Sequence, residues 1–156
     1  MIMEKAVIKS PIGSLKIIIE DDKLCSIDFL DNAETSLPEK QSLTLKKTIK
    51  QLGEYFAKER REFDLPISFE KATPTKFELK AWNVLLKIPY GETISYKAQS
   101  RKIKTLAYRS VGKANGKNPL PIVVPCHRVI MFDGKLGGFS SGIWRKEFLL
   151  KLEGTI

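Results

Sequence analysis

The chain has 156 residues, 42% hydrophobic and 29% charged, enough to build one buried core or two small ones. Its formal net charge is +9, and it holds two cysteines 101 positions apart and a single histidine, which leaves neither a disulfide framework nor a Cys/His metal cluster. The start, MIMEKAVIKS, has no apolar signal core and no run is long enough to span a membrane, so the expected setting is the cytoplasm, or the nucleus if the source is a eukaryote.

The charge is unevenly placed. Residues 1–70 carry 11 Lys and Arg against 13 Asp and Glu, whereas residues 71–156 carry 16 against 5. Between Glu92 and Asp133 lie eight basic side chains and no acidic one. A solvated face usually mixes signs; an acid-free stretch of this length fits a polyanion, with phosphate backbone first among the choices.

Residues 1–30 read as a β-meander. AVIKS and SLKIIIE flank the turn PIG, and EDDK leads to LCSIDFL, where alternation puts Cys25, Ile27 and Phe29 on one face and makes Cys25 a core residue. SLTLKKTIKQLGEYFAKER places Leu45, Ile49, Leu52 and Phe56 on one helical stripe, and EFDLPISF reads as a strand broken by Pro66. Strands followed by a packing helix predict an α+β unit over 1–70, with a second unit over 71–156. There, Thr75 and Glu78 have capping-box spacing ahead of a helix with Phe77, Ala81, Val84 and Leu85 on its apolar face. TISYKAQSRKI and LAYRSVGKANG predict two short basic helices joined by a turn, the outline of a helix-turn-helix. An apolar strand ending at Cys126, a glycine-rich loop DGKLGGFSSG and a closing helix WRKEFLLKLEG complete the chain.

PIVVPCHRVI sets the only histidine, His127, against Cys126. A buried strand cysteine beside a core histidine is the bland interpretation. Pro125 ends any sheet ladder at the cysteine, however, and NGKNP and GGFSSG on either side suit close backbone approach to a ligand. Neighbours on extended chain point to opposite faces, so His127 is expected to reach the sulfur through a water or a local turn, oriented by a third group. Glu153 is the best-placed acid for that purpose, and a lowered thiol pKa would make the sulfur a nucleophile. Acyl transfer would need an oxyanion hole from the glycine-rich backbone; attack on an alkyl carbon would need a proton donor for the leaving group, which Tyr96 could supply. Spacing leaves both chemistries open. Two other classes remain beside them, a helix-turn-helix regulator with a redox-sensing cysteine and a multiple-turnover thiol hydrolase.

IPYGETISY, RSVGKANGKNP, PCHRV, GGFSSG and KEFLLKLE, in this order and spacing, resemble the O6-alkylguanine-DNA alkyltransferases, also called methylated-DNA–protein-cysteine methyltransferases. The resemblance covers residues 74–156. It implies a small amino-terminal ribonuclease H-like α/β domain, and a carboxy-terminal winged-helix-like domain that binds duplex DNA through the minor groove and extrudes the damaged nucleotide. It further implies that Cys126 irreversibly accepts a methyl or small alkyl group from O6-alkylguanine, with O4-alkylthymine as an open second substrate. His127 would act as base through a water, Glu153 would orient it, Tyr96 would help rotate the nucleotide and Asn118 would brace the active-site turn. Pro121 and Phe139 would wall the pocket, Ser140 would donate to guanine O6, and the backbone at Cys126 and Val129 would read the exocyclic amine. Arg109 would fill the vacated stack. Tyr96, Arg109, Ser110, Lys113 and Asn115 would contact DNA. The implied protein is a monomer, needs no cofactor and, having only Cys25 in its first half, binds no zinc. After Tyr96 the sequence departs from the family, being polar and basic where relatives are more apolar.

Overall fold

The computed structural model describes residues 2–156; Met1 lies outside them. The chain forms two compact units, one reaching to Thr73 and one running from Pro74 to Ile156.

The first unit is an antiparallel meander of β1 (Met3–Ser10), β2 (Gly13–Glu20) and β3 (Lys23–Leu30), in that spatial order. The loop between β2 and β3 is Asp21-Asp22, both at positive φ (49° and 62°), as the twist-matched two-residue hairpin turn requires. Central β2 buries Leu15, Ile17, Ile18 and Ile19, and Cys25 lies in the core with Ile27. Helix α1 (Leu43–Phe56) packs on β1 and β3, its first turn capped by Ser42, whose Oγ accepts from Leu45 N at 3.1 Å. Its buried face is rotated from the expected stripe. Thr44, Leu45, Thr48, Gln51, Leu52 and Tyr55 are buried, while Ile49 and Phe56 are only half-buried. Polar residues are tolerated inside because each is satisfied: Thr48 Oγ1 donates to Thr44 O at 2.8 Å, and the Gln51 amide bonds both backbone groups of Asp64. The strand expected around Pro66 is reduced to a single bridge between Leu24 and Ile67, with Leu24 N donating to the Pro66 carbonyl at 2.8 Å. Proline has no N–H to extend the ladder.

In the second unit, α2 (Lys76–Leu85) opens with a full capping box. Glu78 N donates to Thr75 Oγ1 at 3.0 Å, and Thr75 N to Glu78 Oε1 at 2.9 Å. Trp82, Ala81 and Leu85 form its buried face, and the Trp82 indole donates to Ala114 O at 2.8 Å, tying α2 to the end of α4. After β4 (Ile94–Ser95), Ser95 caps α3 (Tyr96–Lys102); α4 (Tyr108–Gly116) follows. A reciprocal amide pair sets the α3–α4 hairpin: Gln99 and Asn115 donate to each other at 2.8 Å in both directions. Both residues are buried, so the Asn115 side chain serves the helix pair rather than the exposed face on which a DNA contact was expected.

The apolar run before Cys126 is not a strand. Pro119, Pro121 and Pro125 supply no N–H, Val124 N turns back to Leu120 O at 2.7 Å, and buried Ile122 sits at φ +76°. A β-branched residue there costs about 1–3 kcal/mol, held in place by the surrounding packing. Residues Cys126–Arg128 form a 3-10 turn, β5 (Val129–Ile130) then pairs in parallel with β4, and α5 (Ile143–Leu152) closes the unit.

Candidate active site

Cys126 lies at a cavity of about 680 Å³. Helices α3 and α4 contribute Tyr96, Arg109 and Asn115 to its walls, the approach to the turn contributes Asn118 and Pro121, and the glycine-rich loop contributes Phe139 and Ser140. His127, Glu153 and Val129 lie outside the lining, and Ser110 and Lys113 stand on the exposed surface of α4.

The turn is braced by Asn118. Its Nδ2 donates to Val124 O at 2.7 Å and its Oδ1 accepts from Leu120 N at 2.9 Å, spanning the proline-rich segment that has few donors of its own. The 3-10 geometry rotates successive side chains by about 120°. Cys126 and His127 therefore diverge through a turn, not through the strand alternation inferred from sequence.

Behind the cysteine, His127 Nε2 lies 2.7 Å from Glu153 Oε2, with both side chains wholly buried. Arg128 completes the group: its Nε donates to Glu153 Oε1 at 2.8 Å, its Nη2 to Oε2 at 3.0 Å and its Nη1 to Ile88 O at 2.7 Å. Burial pushes the Glu153 carboxyl up, but the hydrogen bonds from His127 and Arg128 and the guanidinium charge outweigh it, holding the group at about 2. A carboxylate accepts only, so the imidazole carries its proton on Nε2 and keeps a lone pair on Nδ1. That Nδ1 has no hydrogen-bond partner among the described residues. Burial holds His127 below its ordinary pKa, leaving it neutral and able to take a proton.

Burial also pushes the Cys126 thiol up, against the amide of Asn118 and the charge of Lys146. This reverses the lowered pKa expected from sequence: the resting sulfur is a thiol, and the nucleophile must be made by proton removal when it is needed.

Sequence reasoning missed two residues of this site. Arg128 sits in an apolar run, two positions past the cysteine. Lys146 is fully buried on α5, where its Nζ donates to Val129 O at 2.6 Å, Gly138 O at 3.2 Å and Tyr96 Oη at 3.4 Å. The available signal was spacing: Lys146, Leu149, Leu150 and Glu153 share one helical stripe, so both charged ends belong to the buried face. Lys146 makes no ion pair among the described residues, and desolvation lowers its pKa to about 8, with Cys126 working the other way. A thiolate at Cys126 would supply the anionic partner that Lys146 lacks. Lys146→Met should therefore leave thermal stability unchanged or raised while slowing modification of Cys126 on the order of 10- to 100-fold at pH 7. The gap should close above pH 8, where the wild-type lysine loses its own charge; paired rate–pH profiles check this. Among the described residues no cluster of acids, cysteines and histidine could hold a metal ion.

Basic helices surround a cavity that holds Cys126, with a buried, neutral His127 behind it. Residues 76–155 match the family model described as 6-O-methylguanine DNA methyltransferase, DNA binding domain, and residues 3–69 match that of its ribonuclease-like domain. The methylated-DNA–protein-cysteine methyltransferase of Methanosarcina barkeri is 41% identical over 152 residues, covering 94% of each chain. The Mycobacterium tuberculosis O6-methylguanine methyltransferase superposes with a TM-score of 0.83 at 39% identity, over 97% of this chain and 93% of that one. A second Mycobacterium tuberculosis structure, in complex with DNA, gives 0.81 at 40% identity, over 94% and 90%. The chain belongs to the 6-O-methylguanine DNA methyltransferase family.

Proposed function

We propose that this protein repairs DNA by direct reversal, moving a methyl or small alkyl group from O6 of guanine to the sulfur of Cys126, once per molecule. The observation that carries the proposal is a buried thiol at a cavity roomy enough to admit a nucleotide base, backed by a neutral histidine whose free lone pair is set by Glu153 and Arg128. His127 Nδ1 takes the thiol proton, directly or through water. The thiolate attacks the alkyl carbon, forming the C–S bond as the C–O6 bond breaks and its electron pair stays on guanine. Lys146 offsets the thiolate charge. The Tyr96 hydroxyl accepts from Lys146 at 3.4 Å and donates its one proton to Gly138 O at 3.5 Å, so it serves the departing base by turning that long bond from Gly138 to guanine. Once the proton taken up by His127 is returned, through solvent, to N1 of the guanine anion, the products are a thioether and unmodified guanine. Nothing in this scheme regenerates the thiol, which makes the protein a single-use reagent.

Action as a monomer rests on the family resemblance. The exposed basic residues of α3 and α4 support phosphate contact, with Ser110 and Lys113 on that face and Arg109 at the cavity mouth. Entry through the minor groove with extrusion of the nucleotide, and a cytoplasmic setting, or a nuclear one in a eukaryote, rest on the family resemblance. Pro121 and Phe139 would flank the base and Ser140 would meet O6; a contact of the Cys126 and Val129 backbone with the exocyclic amine rests on the family resemblance, since the Val129 carbonyl accepts from Lys146 and lies outside the cavity lining. The test is incubation with duplex DNA carrying O6-methylguanine: one methyl should appear on the peptide that holds Cys126. Arg109→Ala should slow reaction with duplex about tenfold more than reaction with free O6-alkylguanine, because only the duplex has a vacated stack to fill; equal losses in the two rate measurements would remove that role.

A further inference from the structure

Three large apolar side chains stand in solvent on the rim of the Cys126 cavity: Phe132 at 81% exposure, Tyr108 at 41% and Met131 at 40%. One exposed apolar residue is ordinary; three around one cavity mouth, in a stretch that is otherwise basic, mark a contact surface. Phe132 is also held where it is by a built loop. Gly134 N donates to Met131 O at 3.0 Å, Met131 N to Lys135 O at 2.9 Å, and Gly134 takes the positive φ (+88°) that closes the turn. The one acid of this loop, Asp133, spends a carboxylate oxygen on Lys135 N at 3.0 Å.

Met131 and Phe132 divide the work. Met131 lies against the cavity wall, since a Cβ added at Gly137 would come within 3.4 Å of its Cγ and 3.0 Å of the Tyr96 ring. Phe132, at 81% exposure, cannot be an inner wall; it touches what remains outside the mouth. With a nucleotide extruded into the cavity, what remains outside is the duplex from which it came. Lys97 on the same cavity can meet phosphate, and an aromatic ring adds stacking or wedging that is indifferent to base identity.

We propose that Phe132 is a second DNA-stacking side chain, which works with Arg109 from a separate loop to hold the duplex open around an extruded nucleotide. The proposal rests on the alkyl-transfer reading above. Its test compares wild type, Phe132→Ala and Phe132→Trp in rates of methyl transfer from O6-methylguanine in a short duplex and from the free O6-methylguanine base. Phe132→Ala should lose about tenfold more on duplex than on free base, and Phe132→Trp should retain the duplex rate. Equal losses on both substrates would make Phe132 a pocket wall, and no loss on either would make it a bystander; each result overturns the proposal. Absence of methyl on Cys126 in the wild-type protein would instead sink the alkyl-transfer reading itself, and this proposal with it.

Discussion

Cys126→Ser is expected to abolish alkyl transfer while leaving the fold and duplex binding intact. Serine keeps nearly the shape of cysteine and can still accept from the Asn118 amide. A hydroxyl, however, is far harder to ionise than a thiol, and its oxygen is a poor nucleophile toward an alkyl carbon. In wild type, mass analysis after exposure to O6-methylguanine duplex should find one methyl per chain on the Cys126 peptide and none on Cys25, which is buried in the first unit and raised in pKa by that burial. The serine variant should show none, with an unchanged DNA-binding isotherm. Repeated turnover, or a methyl on another peptide, would exclude Cys126 as terminal acceptor. The pH dependence follows from His127. Burial depresses its pKa below the ordinary 6.5, so the neutral base persists into mildly acidic solution, and transfer should fall only once the imidazole is protonated.

The largest stability effect is expected at Glu153. Glu153→Ala leaves the Arg128 guanidinium buried without its carboxylate and His127 Nε2–H without its acceptor; loss of one partner from a buried ion pair costs about 3–5 kcal/mol. The folded-state pKa of about 2 lies below the ordinary 4.5, so this contribution is complete above pH 4.5 and is lost as pH falls towards 2. A depression of that size amounts to about 3 kcal/mol. Denaturant unfolding of wild type and variant should therefore differ most at neutral pH and converge in strong acid. A constant difference across that range would remove the charge from the explanation and leave only packing.

Phosphate-binding character, the helix pair and the family were legible because each is written locally. Alternation in LCSIDFL reports a half-buried strand, Thr75 and Glu78 report a helix start, and the motifs around Cys126 are contiguous. Part of the basic count was misleading in one respect. Of the eight cations between Glu92 and Asp133, Arg128 faces inward to Glu153 and Ile88 and cannot meet phosphate.

The two-unit α+β organisation, the basic second half and the candidate nucleophile follow from composition, periodicity and adjacency, which are properties of the chain. The electrostatics of that nucleophile depend on the folded packing. Whether Arg128, Lys146 and Asn115 are buried depends on partners 16 to 40 positions away, Gln99, Val129, Glu153 and Ile88, that no local pattern connects to them. Burial in turn reverses the direction expected for the Cys126 thiol, because removing a charge from water outweighs the attraction of one ammonium and one amide. Pro125, which suggested where a strand would stop, joins Pro119 and Pro121 in preventing one from forming, and leads into the 3-10 turn that sets Cys126 at the cavity.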